Sequence, residues 1–318
     1  MERTAVIALG GNALTREGQS GRYDEQFANA REMAKAVAAL IGEGWRAVVV
    51  HGNGPQVGNL AMQAERAAEL VPAQPLFALD AMTQGQLGSM IALALMEQCR
   101  TLVAGVVSLV THVVVRPDDP AFGHPTKPIG PFFDAERAER LAQEGVVMVE
   151  DAGRGYRHVV ASPLPVAVLE ADAVRVLVEQ GYLVVACGGG GVPVTPEPDG
   201  PGYRGVEAVI DKDHAAQRLA TTIGADALVL VTGVPCVQLD FGTPRARSAT
   251  LLTAGEARRH LADGQFPAGS MGPKIEASVR FLDEGGTVAV ITTPELVQAT
   301  LSGTGEGGGT RIIPGEAA

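Results

Sequence analysis

Short apolar runs alternate with longer amphipathic stretches through most of the chain. Residues 4–9 and 46–51 are almost wholly Ala, Val, Ile and Leu, whereas 24–41 and 56–69 mix apolar with charged positions. Strands apolar at every position are buried on both faces, as in parallel sheets covered by helices, so the alternation predicts βαβ units and an α/β fold. Within 24–41, Phe27, Ala30, Met33, Ala34, Val37 and Leu40 recur near a 3.6-residue period. That spacing predicts a helix with one core-facing stripe. Residues 182–187, 227–231 and 287–291 read as further buried strands, and 171–180, 214–223, 255–263 and 273–284 as helices.

Two stretches break the rhythm. From 116 to 165, Pro117, Pro120, Pro125, Pro128, Pro131, Pro163 and Pro165 replace the alternation, and so long a departure predicts a small protruding subdomain of about 116–165. Residues 193–204, with Pro196, Pro198, Gly200, Pro201 and Gly202, predict an exposed hairpin or hinge between two lobes. We expect one continuous domain with an N-terminal lobe of 1–205 and a C-terminal lobe of 206–318.

Three apolar runs end in glycine clusters: Leu9 leads into Gly10, Gly11 and Asn12, His51 into Gly52, Asn53 and Gly54, and Cys187 into Gly188 to Gly191. In open α/β sheets ligands bind at the carboxyl ends of the strands, and glycine lets backbone N–H groups approach an anion there. Three such loops on one edge point to a polyanion site. The common nucleotide motifs are nevertheless missing. No G-x-x-x-x-G-K-[ST] occurs, because Ile275 follows Lys274, and the G-x-G-x-x-G match at 303–308 has no helix pattern after it. No G-x-S-x-G elbow is present, which removes the simplest hydrolase reading.

Composition narrows the partners. The formal net charge is −11 and no basic run appears, which argues against nucleic acid as a partner. Residues 102–115, the most apolar long run, fall short of the roughly 20 residues of a membrane helix. Cys99, Cys187 and Cys236 are widely spaced, without C-x-x-C pairing, and no metal-binding histidine pair occurs, so we expect reduced thiols, no metal held by protein side chains and a cytoplasmic protein. Lysine stands only at Lys35, Lys127, Lys212 and Lys274, against 21 arginines. Lys35 falls on the polar side of a helix and reads as a surface charge. The other three are flanked by turn residues or carboxylates, positions that suit a compact point charge better than a planar fork.

Phosphoryl transfer between anions accounts for this set. Its transition state is loose and negatively charged, so catalysis is mostly positioning and electrostatic stabilisation by backbone amides, lysines and Mg²⁺. A carboxylate acceptor is already ionised at neutral pH and needs no general base. Asp211 and Asp213, on either side of Lys212, are candidates to orient lysines, to meet the Mg²⁺ of a nucleotide, or to cap the helix that begins there.

The segments 8–14, 51–58, 125–131, 150–155, 188–191, 209–213 and 269–274 together resemble carbamate kinases of the amino-acid kinase fold, in order and over nearly the whole chain. The resemblance implies a three-layer αβα sandwich with a mainly parallel central sheet. It also implies reversible phosphoryl transfer between MgATP and carbamate, giving ADP and carbamoyl phosphate, in a homodimer. By matching positions it assigns Gly10, Gly11, Asn12, Gly52, Asn53 and Gly54 to carbamate and the moving phosphoryl group. Lys127, Lys212, Lys274 and Asp211 are assigned to catalysis, and Lys212, Asp213, Thr232, Gly233, Met271, Gly272 and Lys274 to the nucleotide. Two departures stand out. Many members carry Asp where this chain has Gly233, and Leu79-Asp80 precedes Ala81-Met82 where the family often has Cys-Gly. The second reads as packing beside the small-substrate site. Rival readings are a kinase of the same fold acting on another small carboxylate or a phosphonate, and a nucleotide-binding regulator without activity.

Overall fold

The computed structural model describes residues 3–10, 14–16, 18–151, 153, 155–267, 269–303 and 308–316. Its centre is an eight-stranded sheet in the order Leu251–Thr253, Thr310–Ile313, Val288–Thr292, Ala227–Val231, Arg3–Leu9, Trp45–His51, Tyr182–Val185 and Gly105–Ser108. Neighbours are parallel except where Thr310–Ile313 runs against Val288–Thr292. Strand side chains alternate between faces, so each apolar run feeds two cores. Val6, Ala8, Val48 and Val50 pack with the helices Ala171–Glu179, Lys212–Ile223, Ala254–Ala262 and Met271–Asp283. Ala5, Ile7, Leu9, Ala47 and Val49 pack on the opposite face with Tyr23–Gly42, Leu76–Cys99 and Val297–Ser302. This is the three-layer α/β arrangement expected from the pattern, and Ala30, Met33, Ala34, Val37 and Leu40 are the buried stripe of Tyr23–Gly42.

The Leu76–Cys99 helix is a finding of the structure. Thirteen of its 24 residues are buried, with polar Asp80, Thr83 and Gln84 among them, while Met82, Leu93 and Met96 are exposed, so the polar–apolar contrast that marks a surface helix is weak. The apolar run at 102–115 divides between two sheets, with Gly105–Ser108 at the edge of the large one and His112–Val115 inside a second. That second sheet has the order Tyr203–Gly205, Val192–Pro196, His112–Val115 and Pro165–Val168. The first pair is an antiparallel hairpin with exposed residues 197–201 at its turn, where the prolines and glycines predicted one.

Between His112–Val115 and Pro165–Val168 the chain builds a separate three-stranded sheet, Lys127–Phe133, Tyr156–Val160 and Met148–Glu150, with the helix Ala135–Gln143. Its seam with the main body is the Gly54–Ala67 helix. A Cβ on Gly58 would lie 2.0 Å from the backbone N and Cα of Gly130, so only glycine permits this approach.

Candidate active site

The parallel register brings Leu9, His51 and Val231 to one level, and the loops after them share one edge of the sheet. The helix Lys212–Ile223 starts at that edge, with Asp211 as its N-cap: Oδ1 accepts the Asp213 N–H at 2.8 Å. The other carboxylate oxygen of Asp211 accepts from Lys127 Nζ at 2.5 Å, reaching in from the three-stranded sheet. Asp213, 2% exposed, accepts from Lys212 Nζ at 3.0 Å with Oδ1 and from Lys274 Nζ at 2.8 Å with Oδ2. Lys274 lies in the first turn of Met271–Asp283. Residues 127, 211, 212, 213 and 274 thus form one linked cluster.

Three ammonium groups against two carboxylates leave one net positive charge in a largely buried place. Burial pushes the Asp211 carboxyl up, but the Lys127 and Lys212 ammoniums outweigh it and hold the carboxyl well below its usual range. Asp213 is lowered in the same contest between burial and its two lysines. Burial opposes the Lys212 charge, yet Asp213 and Asp211 raise its pKa overall, while burial and the Lys212 charge lower that of Lys274. Each ammonium carries three N–H donors and spends one on an aspartate, which leaves donors for an incoming anion. Lys35 stands apart, paired with Glu32 at 2.8 Å on an exposed helix face.

The glycine loops differ from one another. A Cβ on Gly10 would lie 2.9 Å from the Val231 carbonyl oxygen, so the first turn presses on the neighbouring strand end; Gly11 and Asn12 lie outside the described residues. Asn53 precedes the Gly54–Ala67 helix but does not cap it. Its amide instead donates to Asp80 Oδ1 at 2.9 Å and Thr83 Oγ1 at 2.8 Å, on the Leu76–Cys99 helix. The first-turn N–H groups of Gly54–Ala67 are therefore not taken up by that side chain, and Gly54 lies beside the Pro128 carbonyl, next to Lys127. The third loop corrects the reading of an open cradle. Gly188 to Gly191 are buried, and a Cβ on each in turn would strike His51, Asn53, Ile210 or Val113. These glycines permit a tight packing seam.

On the nucleotide side, Thr232 is half-buried and donates its N–H to Thr292 O at 2.8 Å, Gly233 is exposed, and Met271 and Gly272 open the helix that carries Lys274. No group of three or more His, Cys, Asp or Glu among the described residues is placed to hold a metal. The aspartates nearest the site already face lysines, so the residues present do not make a resident metal site. His51 is buried, its Nδ1 3.0 Å from Gly52 O, and burial lowers its pKa to about 4.

Sequence reasoning did not single out Asp80 and Thr83 as a pair, nor Glu207, whose carboxylate accepts the Leu76 N–H at 3.1 Å and caps that helix from a distant segment. The departure noted at Leu79-Asp80 was the one signal for them.

The profile of the amino acid kinase family matches residues 3–293. The chain belongs to the amino acid kinase family. Within that family it is 45% identical to a carbamate kinase of Pyrococcus furiosus over 99% of this chain and 100% of the relative. It is 41% identical to a carbamate kinase of Clostridium perfringens over 97% and 99%. Among solved structures, a carbamate kinase from Giardia lamblia bound to AMP-PNP matches with a TM-score of 0.88 and 36% identity, covering 98% of this chain and 99% of that one. As an amino acid kinase family member, the chain is an α/β phosphotransferase with a mostly parallel sheet.

Proposed function

We propose that this protein is a carbamate kinase, transferring a phosphoryl group reversibly between ATP and carbamate to give ADP and carbamoyl phosphate. The observation that carries the reading is the convergence of Lys127, Lys212 and Lys274 on Asp211 and Asp213 at the carboxyl edge of the sheet. Two carboxylates hold three ammoniums in place before substrate arrives. Such preorganised charge lowers the barrier of a reaction whose transition state spreads negative charge over phosphoryl oxygens.

In this reading Gly52, Asn53 and Gly54, with the Gly10 to Asn12 turn, hold carbamate and the moving phosphoryl group. Lys127 reaches it from the protruding subdomain. Lys212 and Lys274 stabilise the nucleotide phosphates and the transition state, with Thr232, Gly233, Met271 and Gly272 lining the nucleotide side and Asp211 and Asp213 orienting the lysines. The part before residue 206 binds carbamate and the part after it binds nucleotide. Mg²⁺ enters with ATP or ADP as part of the substrate, since the nearby carboxylates are already matched to lysines. The acceptor is an anion, so no residue has to remove a proton from it. We also propose a homodimer, on the strength of the resemblance.

Purified protein with ADP, Mg²⁺ and carbamoyl phosphate should form ATP in a coupled assay. Absence of ATP across salt and pH conditions would reject the proposal.

A further inference from the structure

The lysine cluster explains how an anion is held but not how carbamate is told from another small carboxylate. Around Asn53 the hydrogen-bond inventory is restrictive. The Thr83 hydroxyl has one hydrogen and donates it to the Asp80 backbone carbonyl at 2.8 Å. Towards Asn53, 2.8 Å away, its oxygen can therefore only accept, and it must face the amide nitrogen. Asp80 Oδ1 takes the second amide hydrogen at 2.9 Å. Burial raises the Asp80 carboxyl well above its usual range, and its Oδ2 is buried without a partner, the setting of a neutral acid. A neutral acid donates or accepts equally well, so the amide orientation rests on Thr83.

With both N–H groups spent, the Asn53 carboxamide is left with Oδ1, an acceptor with no hydrogen-bond partner among the described residues. Asn53 itself is 2% exposed. It stands between Gly52 and Gly54 at the strand end facing the Lys127 segment, and the backbone of Gly189 runs so close that a Cβ there would lie 2.2 Å from Nδ2 and 2.7 Å from Oδ1, which leaves the amide no room for a bulkier neighbour.

We propose that Asn53 Oδ1 accepts an N–H of the substrate's amino group, and that Thr83, assisted by Asp80, is the positioning residue that keeps this oxygen turned toward the substrate. The inference deepens the carbamate kinase reading and rests on it. Carbamate and carbamoyl phosphate carry NH₂ where acetate and acetyl phosphate carry a methyl group. A bound methyl would cover Oδ1 without matching it, whereas an amino group satisfies it. One buried acceptor of this kind discriminates by roughly 10- to 100-fold.

The test compares kcat/KM for carbamoyl phosphate and for acetyl phosphate, at saturating MgADP, in the full chain and in Thr83→Val and Thr83→Ser. Valine keeps the shape and loses the hydroxyl. We expect the carbamoyl-to-acetyl ratio to fall about 10-fold or more in Thr83→Val, with the KM for ADP preserved, and to stay near the parent value in Thr83→Ser. Circular dichroism checks folding, and Thr83→Ala replaces the valine variant if that one does not fold. An unchanged ratio in an active Thr83→Val or Thr83→Ala protein overturns the inference and leaves the carbamate kinase reading standing. A parent chain that forms no ATP from carbamoyl phosphate overturns the reading itself, and the inference with it.

Discussion

Asp213 accepts from two lysines at once, and that single contact shows why lysine survives in a chain so rich in arginine. A guanidinium presents a planar fork that suits one carboxylate face, whereas two compact ammoniums fit side by side on one buried aspartate and keep further donors for a phosphate. Lys212→Ala and Lys274→Ala should each lower kcat by about 10²-fold, the scale of removing one preorganised transition-state donor. Steady-state kinetics at saturating substrates check this, and parent-like rates would remove either lysine from its role. Asp80 behaves oppositely to Asp211. Burial raises its carboxyl well above the usual range in the folded protein, while the unfolded chain loses that proton near pH 4. The folded state thus binds the extra proton, and this mismatch costs stability increasingly as pH rises from about 4 toward the folded value. Asp80→Asn cannot ionise, so its Tm should gain on that of the parent as pH goes from 4 to 7. A Tm difference that stays flat over that range would show Asp80 to be charged.

At the scale of elements, the site depends on how closely the protruding sheet approaches the main body. Lys127 is carried by the strand Lys127–Phe133, and that strand is pressed on the Gly54–Ala67 helix at Gly58 and Gly130. The obstruction to a Cβ at residue 58 is backbone, which cannot swing aside, so strand and helix would have to separate. Gly58→Ala should cost about 1–3 kcal/mol of stability in urea unfolding and also reduce kcat by withdrawing Lys127 from Asp211. Full stability with full activity would contradict the seam. The same elements show what periodicity can carry. Tyr23–Gly42 was legible because its buried face is mainly apolar and its wet face mainly polar, whereas Leu76–Cys99 was not, because it buries polar Asp80, Thr83 and Gln84 and exposes Met82, Leu93 and Met96. Asp80 and Thr83 sit on that second helix, so the layer behind Asn53 was hidden with it.

For the whole molecule, a net charge of −11 surrounds a cluster with one positive charge to spare. An acidic protein handling anionic substrates needs this contrast, since surface charges more than about 8 Å from the phosphate are largely screened at physiological salt. No helix among the described residues is long and apolar enough to cross a membrane. Met82, Leu93 and Met96 lie exposed along the Leu76–Cys99 helix. For the proposed homodimer, light scattering should give about twice the 32.8 kDa chain mass, and a mass of 32.8 kDa at micromolar concentration would reject it.

The sequence by itself determined the α/β class, five of the eight strands of the central sheet and the three lysines that the fold brings together, because burial on both strand faces and a skewed choice between two cations both leave marks in residue order. It also placed the glycine turns at the strand ends. Only the tertiary structure decided which glycines face a site and which fill a seam, since Gly188 to Gly191 look the same in sequence as an open loop and are distinguished by what their missing side chains would strike. The same holds for Asn53. Its neighbours Asp80 and Thr83 are about 30 positions away along the chain, and the direction of its amide follows from a hydroxyl whose one hydrogen is already committed.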